Sequence, residues 1–328
     1  MLTTLDPYDR LVTRLGEASV KKHFDAYEDV AWDQPDHRIA HDDPRFELGD
    51  DEPLGATKWY CAQPAEVRAR IGLHLAASRL RVGIDFENVL SRGLLEMAAT
   101  LPCGSPELRY AYHEVIEEGQ HSLMFQELVH RIGLPVDGLT GLPKFGSRAV
   151  PALGRTFPEL FFVHVLAGEA PIDHVQRMTL ARHRARPLHP LLHRVMQIHV
   201  TEEARHICFA EHYLKRNVPR LSPLRRARLA IVTPFVLRAT ILPMLSVPGD
   251  VARTHAIPTS VVKEVRRGPL LAGLLDRGLA PLHTLFAELG ILDATTLPLY
   301  RLLGVAPMRA LPWGTLGPDA ALGPPPGR

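Results

Sequence analysis

Hydrophobic positions between residues 63 and 217 recur every three to four residues, which is the period of an α-helix. The first run begins after Gln63-Pro64 and continues near Gly83 into a second run that ends by Pro102. The next helix is predicted to begin at Ser105-Pro106-Glu107. A capping serine, a proline at the first helical position and an acid in the first turn are typical of a helix start.

That helix is predicted to end at Gly133, and a Gly- and Pro-rich connection follows. Two more helices are expected, from about Phe157 to Arg184 and from about Pro190 to Arg216. Beyond Pro223, prolines are expected to divide the chain into shorter helices that cover one side or end of the others. No stretch of the sequence alternates like a strand between hairpin turns. The pattern therefore predicts an all-α protein built around a helical bundle.

The two ends of the chain have a different composition. Residues 25–52 hold eleven acidic residues and show neither a helical nor a strand period, so we expect a long ordered or semi-ordered loop there. Gly314 to Arg328 are rich in Gly and Pro and are expected to form a frayed tail. We interpret residues 1–328 as a single domain. Its predicted parts are an N-terminal helix and acidic loop (1–62), a helical core (63–217), and C-terminal covering helices and tail (218–328).

Charge and cysteine content exclude several classes of protein. The net charge is +2 at pH 7, which argues against the clustered basic surface of a nucleic-acid-binding protein. Cys61, Cys103 and Cys208 form neither a disulfide framework nor a cysteine zinc site, and we expect Cys208 to be a buried apolar group. Asp6 and Asp9 stand where an export signal needs basic and apolar residues. A cytoplasmic protein is expected.

The most apolar window, residues 229–245, is interrupted by Pro234, Arg238 and Pro243. It falls short of the run of about 18 apolar residues typical of a membrane-spanning helix. Arg225, Arg226 and Arg228 precede this window and are compatible with attachment to a membrane surface, but a basic start of a soluble covering helix is favoured. We expect no membrane partner.

Two Glu-x-x-His pairs lie in the middle of predicted helices: Glu118 with His121, and Glu203 with His206. Residues three apart share one helix face, so each pair can present a carboxylate and an imidazole to one metal ion. Taken alone, such pairs are also compatible with polar residues on the exposed face of a helix.

A single glutamate lies one helix upstream of each pair. Glu87 precedes Glu118 by 31 residues, and Glu169 precedes Glu203 by 34 residues. This repeated unit matches the ligand plan of a ferritin-like di-metal carboxylate bundle, in which four helices direct four glutamates and two histidines inward. Glu96 is an alternative to Glu87, although the spacing favours Glu87.

His199 adds a seventh candidate, because it forms one stripe with Glu203 and His206 at positions i, i+4 and i+7. The alternative is a core histidine bonded to a backbone carbonyl. Oxygen-rich ligation with imidazoles suits iron or manganese better than structural zinc.

The segments Glu-Glu-Gly-Gln-His-Ser-Leu-Met and His-Val-Thr-Glu-Glu-Ala-Arg-His, with the two upstream glutamates, resemble the p-aminobenzoate N-oxygenase family of non-haem di-iron enzymes. The resemblance covers roughly residues 60–217. It implies a ferritin-like four-helix core and two iron ions held by four glutamates and three histidines, and the ligand set also accommodates manganese. The residues that match this metal-ligand set are Glu87, Glu118, His121, Glu169, His199, Glu203 and His206.

The resemblance also implies an activity, which is the use of O2 to oxidise an arylamine to hydroxylamine, nitroso or nitro products. It implies a homodimer as well. The sequence has no flavin, nicotinamide or iron–sulfur motif, so an external electron donor is expected. Other oxidations on the same centre, such as C–H hydroxylation or desaturation, remain open. So does a metal-storage bundle, although a third histidine and a long C-terminal part argue against it. A helical interaction protein without metal would explain the inward-facing acids poorly.

Several neighbouring residues are candidates for supporting roles. Glu117 and Glu202 differ from the aspartates common in related bundles, and one interpretation is that they accept the outer N–H of a histidine from the opposite half. Asp173 and Arg205 are candidates either to orient ligands or to form surface ion pairs. An apolar shell is expected to shape a pocket that the C-terminal third also lines. The predicted shell consists of Phe86, Leu90, Phe125, Phe161, Phe162 and Val165. Three histidines near Pro187 are expected to be solvated: His183, His189 and His193.

Overall fold

The computed structural model describes residues 6–309, and within them it contains thirteen α-helices and three short 3-10 turns. The predicted tail at 314–328 lies outside the described residues. The helices are α1 (Pro7–Lys21), α2 (Lys58–Cys61), α3 (Ala65–Ala98), α4 (Pro106–Ile132), α5 (Gly141–Ser147), α6 (Val150–Thr156), α7 (Pro158–Ala181), α8 (Pro190–Asn217), α9 (Pro223–Leu245), α10 (Gly249–Thr254), α11 (Thr259–Arg267), α12 (Pro269–Glu288) and α13 (Leu297–Leu302).

Local sequence signals account for the ends of the long helices. The Ser105 hydroxyl accepts a hydrogen bond of 3.2 Å from the Leu108 N–H and so caps α4. Gly133 ends α4 with a φ of 67°, a left-handed conformation that favours glycine. The two apolar runs predicted around Gly83 form one continuous helix, α3, of 34 residues. The predicted all-α fold with a ferritin-like four-helix core is confirmed.

Four long helices form this core. Helix α3 packs on α4, and α7 packs on α8, as expected for helices joined by short connections. Contacts between α4 and α8 and between α3 and α7 join the two pairs. Helix α1 lies against α4 and α8, while α9 and α12 cover α7. The core therefore has four inward-facing helical surfaces, enclosed by the N-terminal and C-terminal parts of the chain.

The prediction that prolines break the C-terminal part into short helices is wrong for its two longest elements. Pro234 and Pro243 lie inside α9, and Pro281 lies inside α12. A proline removes one backbone hydrogen bond, which packing can offset. Leu229, Leu237 and Leu245 of α9 are buried before, between and after these prolines, so the apolar face of the helix continues across both.

The segment Pro223–Thr254, which begins with α9, contains a window long and apolar enough to cross a membrane by length and composition, and 44% of that window is buried. A core helix of a soluble protein meets the same criterion, so the expected lack of a membrane partner stays a prediction. The basic residues at its start contact the protein. Arg225 donates to the Thr156 carbonyl oxygen at 3.2 Å, and Arg226 donates to the Leu289 carbonyl oxygen at 2.6 Å.

The acidic segment at 25–52 has no long helix or strand and is held in place by specific bonds. The Trp32 indole N–H donates to the Ala26 carbonyl oxygen at 2.7 Å. Arg68 of α3 donates to the Glu47 carboxylate at 2.8 Å. This segment is therefore an ordered loop that lies along α3.

Helix α7 has two features near its middle that allow close packing. A Cβ at Gly168 would lie 1.9 Å from Cζ of Phe86, so only glycine lets the α3 ring approach at this depth. Pro171 lies inside the helix, three residues further along. A Cβ at Gly278 of α12 would lie 3.1 Å from Pro171, so the covering helix also meets α7 closely.

Candidate metal centre

The structure brings all seven predicted metal ligands together in the middle of the bundle. Each of these residues is at most 2% exposed. Their donor atoms form overlapping groups of three in which all atoms lie within 4.8 Å of one another. Helix α3 contributes Glu87, α4 contributes Glu118 and His121, α7 contributes Glu169, and α8 contributes His199, Glu203 and His206.

The alternative at Glu96 is not compatible with this cluster. Glu96 is exposed on α3, whereas Glu87 is 2% exposed and groups with His121 and His199. His199 does not bond a backbone carbonyl, which was the alternative for this residue. Its Nε2 lies 3.4 Å from Glu87 Oε1, and its Nδ1 has no hydrogen-bond partner.

His121 of α4 has one nitrogen toward the cluster and one toward a supporting carboxylate. Its Nε2–H donates to Glu202 Oε2 at 3.0 Å, and its Nδ1 faces the cluster. Nδ1 lies 3.1 Å from Glu118 Oε2 and 3.3 Å from Glu203 Oε1. The ring therefore has the orientation that a metal ligand needs, and Nδ1 would bind a metal in exchange for its proton.

His206 of α8 has the mirror-image arrangement. Its Nε2–H donates to Glu117 Oε2 of α4 at 2.7 Å, and its Nδ1 lies 3.1 Å from Glu118 Oε1 and 3.2 Å from Glu203 Oε1. The interpretation of Glu117 and Glu202 as acceptors from the opposite half is therefore confirmed. Each helix supplies the carboxylate that orients the other helix's histidine.

Arg205 joins the two supporting carboxylates. Its Nη2 donates to Glu117 Oε1 at 2.8 Å and to Glu202 Oε1 at 3.4 Å. The side chain is 10% exposed, so this is a mostly buried ion pair. Asp173, the other candidate for such a role, bonds Arg177 one turn away, and the Arg177 side chain is half exposed. Arg205 thus supports the centre, whereas Asp173 forms a surface ion pair.

Several buried donor atoms of the cluster have no hydrogen-bond partner. They include one oxygen each of Glu87, Glu169 and Glu203, together with His199 Nδ1. Buried polar atoms are normally paired, and an unpaired carboxylate oxygen is unfavourable. Oxygen atoms and imidazole nitrogens that converge in this way fit divalent cations such as iron or manganese. The residues present therefore fit a two-metal centre.

The electrostatics of the cluster divide its carboxylates into two kinds. Burial raises the pKa of Glu87 and of Glu169 well above the usual range, and neighbouring carboxylates raise it further. Burial also opposes ionisation of Glu203, but His206 and His199 outweigh it and hold the pKa of Glu203 well below its usual range. The metal-free protein therefore holds protons that bound cations would displace.

The histidines also differ. Burial opposes protonation of His121, but its bonds to Glu118, Glu202 and Glu203 outweigh burial and raise its pKa well above the usual range. Burial lowers the pKa of His199 to about 4, so this ring is neutral at pH 7.

The sequence analysis missed Glu114. It is fully buried on α4, and its donor atom groups with those of Glu118 and His206 within 4.8 Å. Burial raises the pKa of Glu114 to about 8, with His206 opposing this effect. Its position four residues before Glu118, on the same helix face, is the signal that could have identified it.

A cavity of about 270 Å³ extends to one side of the cluster, and Glu87, Glu169 and His199 form part of its wall. Phe86 and Phe125 line it, as predicted. The other four residues of the predicted shell are buried in the core but do not line the cavity: Leu90, Phe161, Phe162 and Val165. Helical pattern identifies buried positions but not the small part of each helix that faces a cavity.

The C-terminal part lines the cavity, as expected, through Met244, Leu245 and Leu274. The N-terminal loop also contributes a wall, which the sequence analysis did not predict. Residues 45–49 and 51–53 of that loop lie beside the cavity.

The outer end of the cavity is charged. Arg79 of α3 donates to Glu52 at 2.7 Å, and Arg182, after α7, contacts Asp51. The Arg182 side chain is 52% exposed, whereas Glu87 at the other end is buried. The cavity therefore leads from a charged mouth at the surface, through apolar walls, to the carboxylate cluster.

Two smaller predictions need correction. His189 is fully buried and stacks on Phe46 with a ring separation of 5.0 Å, because the N-terminal loop covers it. His183 and His193 are partly exposed, as expected, and their rings contact each other. Cys208 is half-buried rather than buried, and its Sγ lies 3.7 Å from His212 Nδ1.

Known proteins match a part of the chain that includes the four core helices. The family model described as p-aminobenzoate N-oxygenase AurF matches residues 6–290. Uncharacterised proteins of Mycobacterium tuberculosis (strains CDC 1551 / Oshkosh and ATCC 25618 / H37Rv) and of Mycobacterium bovis are each 40% identical over 258 residues. These matches cover 79% of this chain and 75% of each relative. No solved structure is a significant match.

Proposed function

The chain belongs to the p-aminobenzoate N-oxygenase family, and from this premise we propose that it uses O2 at a di-iron centre to oxidise the nitrogen of a small arylamine. The proposed metal ligands are the seven predicted residues. Bound iron would supply the redox chemistry that activates O2, and the protein would supply orientation, exclusion of water and control of access.

The observation that carries this proposal is the contact between the cavity and the cluster. Glu87, Glu169 and His199 belong to both, so a molecule in the cavity would lie beside the metal centre. The cavity volume of about 270 Å³ is close to the lower end of the range of about 300–1,000 Å³ typical of ligand sites. A substituted aromatic ring is a suitable occupant. A storage bundle would have no need of an apolar cavity that ends at its metal ligands.

The apolar walls favour an arylamine over an alkylamine. The nitrogen lone pair of an arylamine is delocalised into the ring, so the amine is uncharged near neutral pH, whereas an alkylamine carries a proton. A charged ammonium group would lose its hydration among Phe125, Val195 and Met196. A neutral aromatic amine can pass these side chains and place its nitrogen next to the carboxylates.

The balance of the reaction explains the need for an external reductant. Conversion of an arylamine to its hydroxylamine forms one N–O bond from O2, and the second oxygen atom leaves as water. Two electrons and two protons must enter for each such step.

The test is anaerobic loading with ferrous iron, measurement of iron per chain, and single-turnover oxidation of a panel of arylamines. Two irons per chain and 18O from labelled O2 in a hydroxylamine, nitroso or nitro product are expected. The Glu203→Ala variant is the matched control for chemistry that occurs without the centre. An alkylamine of similar size tests the charge argument.

Other outcomes would contradict the proposal at different levels. Oxygen inserted at carbon, or loss of hydrogen without insertion, would assign C–H hydroxylation or desaturation to the same centre. Iron retention without turnover of any amine would favour a metal-binding bundle, and no retained iron would leave a helical protein without this chemistry.

The expected homodimer and cytoplasmic location stay predictions.

A further inference from the structure

We propose that Glu114 is an eighth metal-binding residue, placed on the His206 side of the centre. This inference rests on the proposed two-metal site, and it adds a ligand that the family pattern of four glutamates and three histidines does not contain. The ligand that it would bind is a divalent cation shared with Glu118 and His206.

The first argument is that both carboxyl oxygens of Glu114 lack a partner. The side chain is fully buried, and neither oxygen has a hydrogen bond. In each of the four predicted glutamate ligands, by contrast, only one oxygen is a fully buried atom without a hydrogen bond. Among these five glutamates, Glu114 therefore has two fully buried oxygens without a hydrogen bond where the others have one, and a cation would provide the partner that the protein does not.

The second argument is that the neighbouring polar groups do not satisfy it. Tyr110 lies one turn upstream on the same face of α4, and its buried hydroxyl also has no hydrogen bond. Arg205, the buried cation between α4 and α8, bonds Glu117 and Glu202. A purely structural role would require one of these groups to bond Glu114, and neither does.

The third argument is position. Residues 114 and 118 are separated by four residues, so both carboxylates leave α4 on one face. Together with His206 Nδ1 or Nε2 they place three donor atoms within 4.8 Å of one another, as do the groups formed by the predicted ligands. His206 Nε2 is already bonded to Glu117, so Nδ1 is the nitrogen available to share a cation.

A ligand at this place would make the two metal positions unequal. Glu114 groups with Glu118 and His206, whereas Glu87 groups with His121 and His199 on the cavity side. The added carboxylate would thus strengthen binding at the position away from the cavity. The position beside the cavity would remain the one that O2 and substrate can reach.

The experiment compares wild type, Glu114→Gln and a control, Glu159→Gln. Glu159 is also a buried glutamate with an oxygen that has no hydrogen bond, but that oxygen lies 3.7 Å from Arg225 Nη2, and the residue belongs to none of the metal groups. Ferrous iron and Mn²⁺ are titrated anaerobically against a chelator. For Glu114→Gln we expect one of the two ions to bind about 10- to 100-fold more weakly, while Glu159→Gln matches wild type.

Unchanged affinity for both ions in a folded Glu114→Gln variant would overturn the inference and leave the proposed function intact. Failure of wild type to bind two ions would instead contradict the proposed function. If Glu114→Gln does not fold, a crystal structure of the iron-loaded wild type decides the question. A Glu114 oxygen about 2.1 Å from a metal supports the inference, and one beyond hydrogen-bond distance refutes it.

Discussion

His121 on α4 donates its Nε2–H to Glu202 on α8, and this bond of 3.0 Å crosses the interface between the two halves of the bundle. The equivalent bond from His206 to Glu117 crosses in the opposite direction. Because Arg205 bonds both carboxylates, five side chains form one connected network around the cluster. Orientation of either histidine therefore depends on residues of both helices.

This network predicts the effect of Glu202→Gln. The amide keeps the size of the side chain but loses the charge that fixes the His121 tautomer, and it can present an N–H where an acceptor is needed. We expect metal affinity to fall about 10- to 100-fold with little change in helix content. Chelator competition and circular dichroism would measure this. Glu96→Gln, a change of an exposed glutamate on α3, is the control, and equal losses in both variants would contradict the prediction.

Direct loss of a ligand is predicted to have a larger effect. Glu203→Ala and His121→Ala should each lose metal while remaining helical, because most of the packing between the long helices comes from apolar residues outside the cluster. Metal content per chain after desalting would show this. A variant that kept the full metal complement would remove that residue from the ligand set.

Removal of metal should make the stability of the protein depend on pH. Burial raises the pKa of Glu114 to about 8 in the folded chain, so this carboxyl holds its proton more tightly when folded than when unfolded. The resulting stabilisation is complete below about pH 4.5 and is lost as the pH rises through about 8. Urea unfolding of chelator-treated protein should show lower stability at pH 8 than at pH 6.

The size of this loss is of the order of a few kcal/mol, since one pKa unit corresponds to about 1.4 kcal/mol. Glu114→Gln has no proton to lose at this position, so its stability should fall less between pH 6 and pH 8. If the variant and the wild type lose the same amount, the proton is held elsewhere in the cluster.

Two glycine substitutions beside ligands should have opposite effects. Gly168→Ala would place a Cβ 1.9 Å from the Phe86 ring, and we expect a loss of about 1–3 kcal/mol. Gly119→Ala, next to Glu118, meets nothing within 4 Å and should stabilise α4 by up to about 1 kcal/mol. Denaturant unfolding of the two variants would measure both changes. Equal effects would show that the Phe86 ring moves away freely.

The sequence was sufficient for the features that depend on helical geometry. Positions along a regular helix fix which residues share a face, so spacing alone placed Glu118 beside His121 and Glu203 beside His206. The same reasoning placed Glu117 and Glu202 about 100° around their helices, where each meets a histidine of the other half.

Features that depend on packing between distant segments were not accessible in this way. The contribution of residues 45–49 and 51–53 to the cavity requires contacts of a loop with α3 and with the α7–α8 connection, and no local pattern encodes those contacts. His189 looked solvated because the loop residue that covers it, Phe46, is 143 positions away in the sequence. Helix α9 continues through Pro234 because its apolar face is buried.

Pro171 makes the backbone beside Glu169 less regular than the backbone beside the other three glutamate ligands. It has no N–H, so the carbonyl oxygen of Ala167 lacks its helical partner in the turn that carries Glu169. The helices that carry Glu87, Glu118 and Glu203 have no internal proline. Among the four glutamate ligands, Glu169 therefore lies on the helix segment with the fewest backbone hydrogen bonds to break. It is the glutamate that can move with the smallest distortion of the bundle when the charge beside it changes.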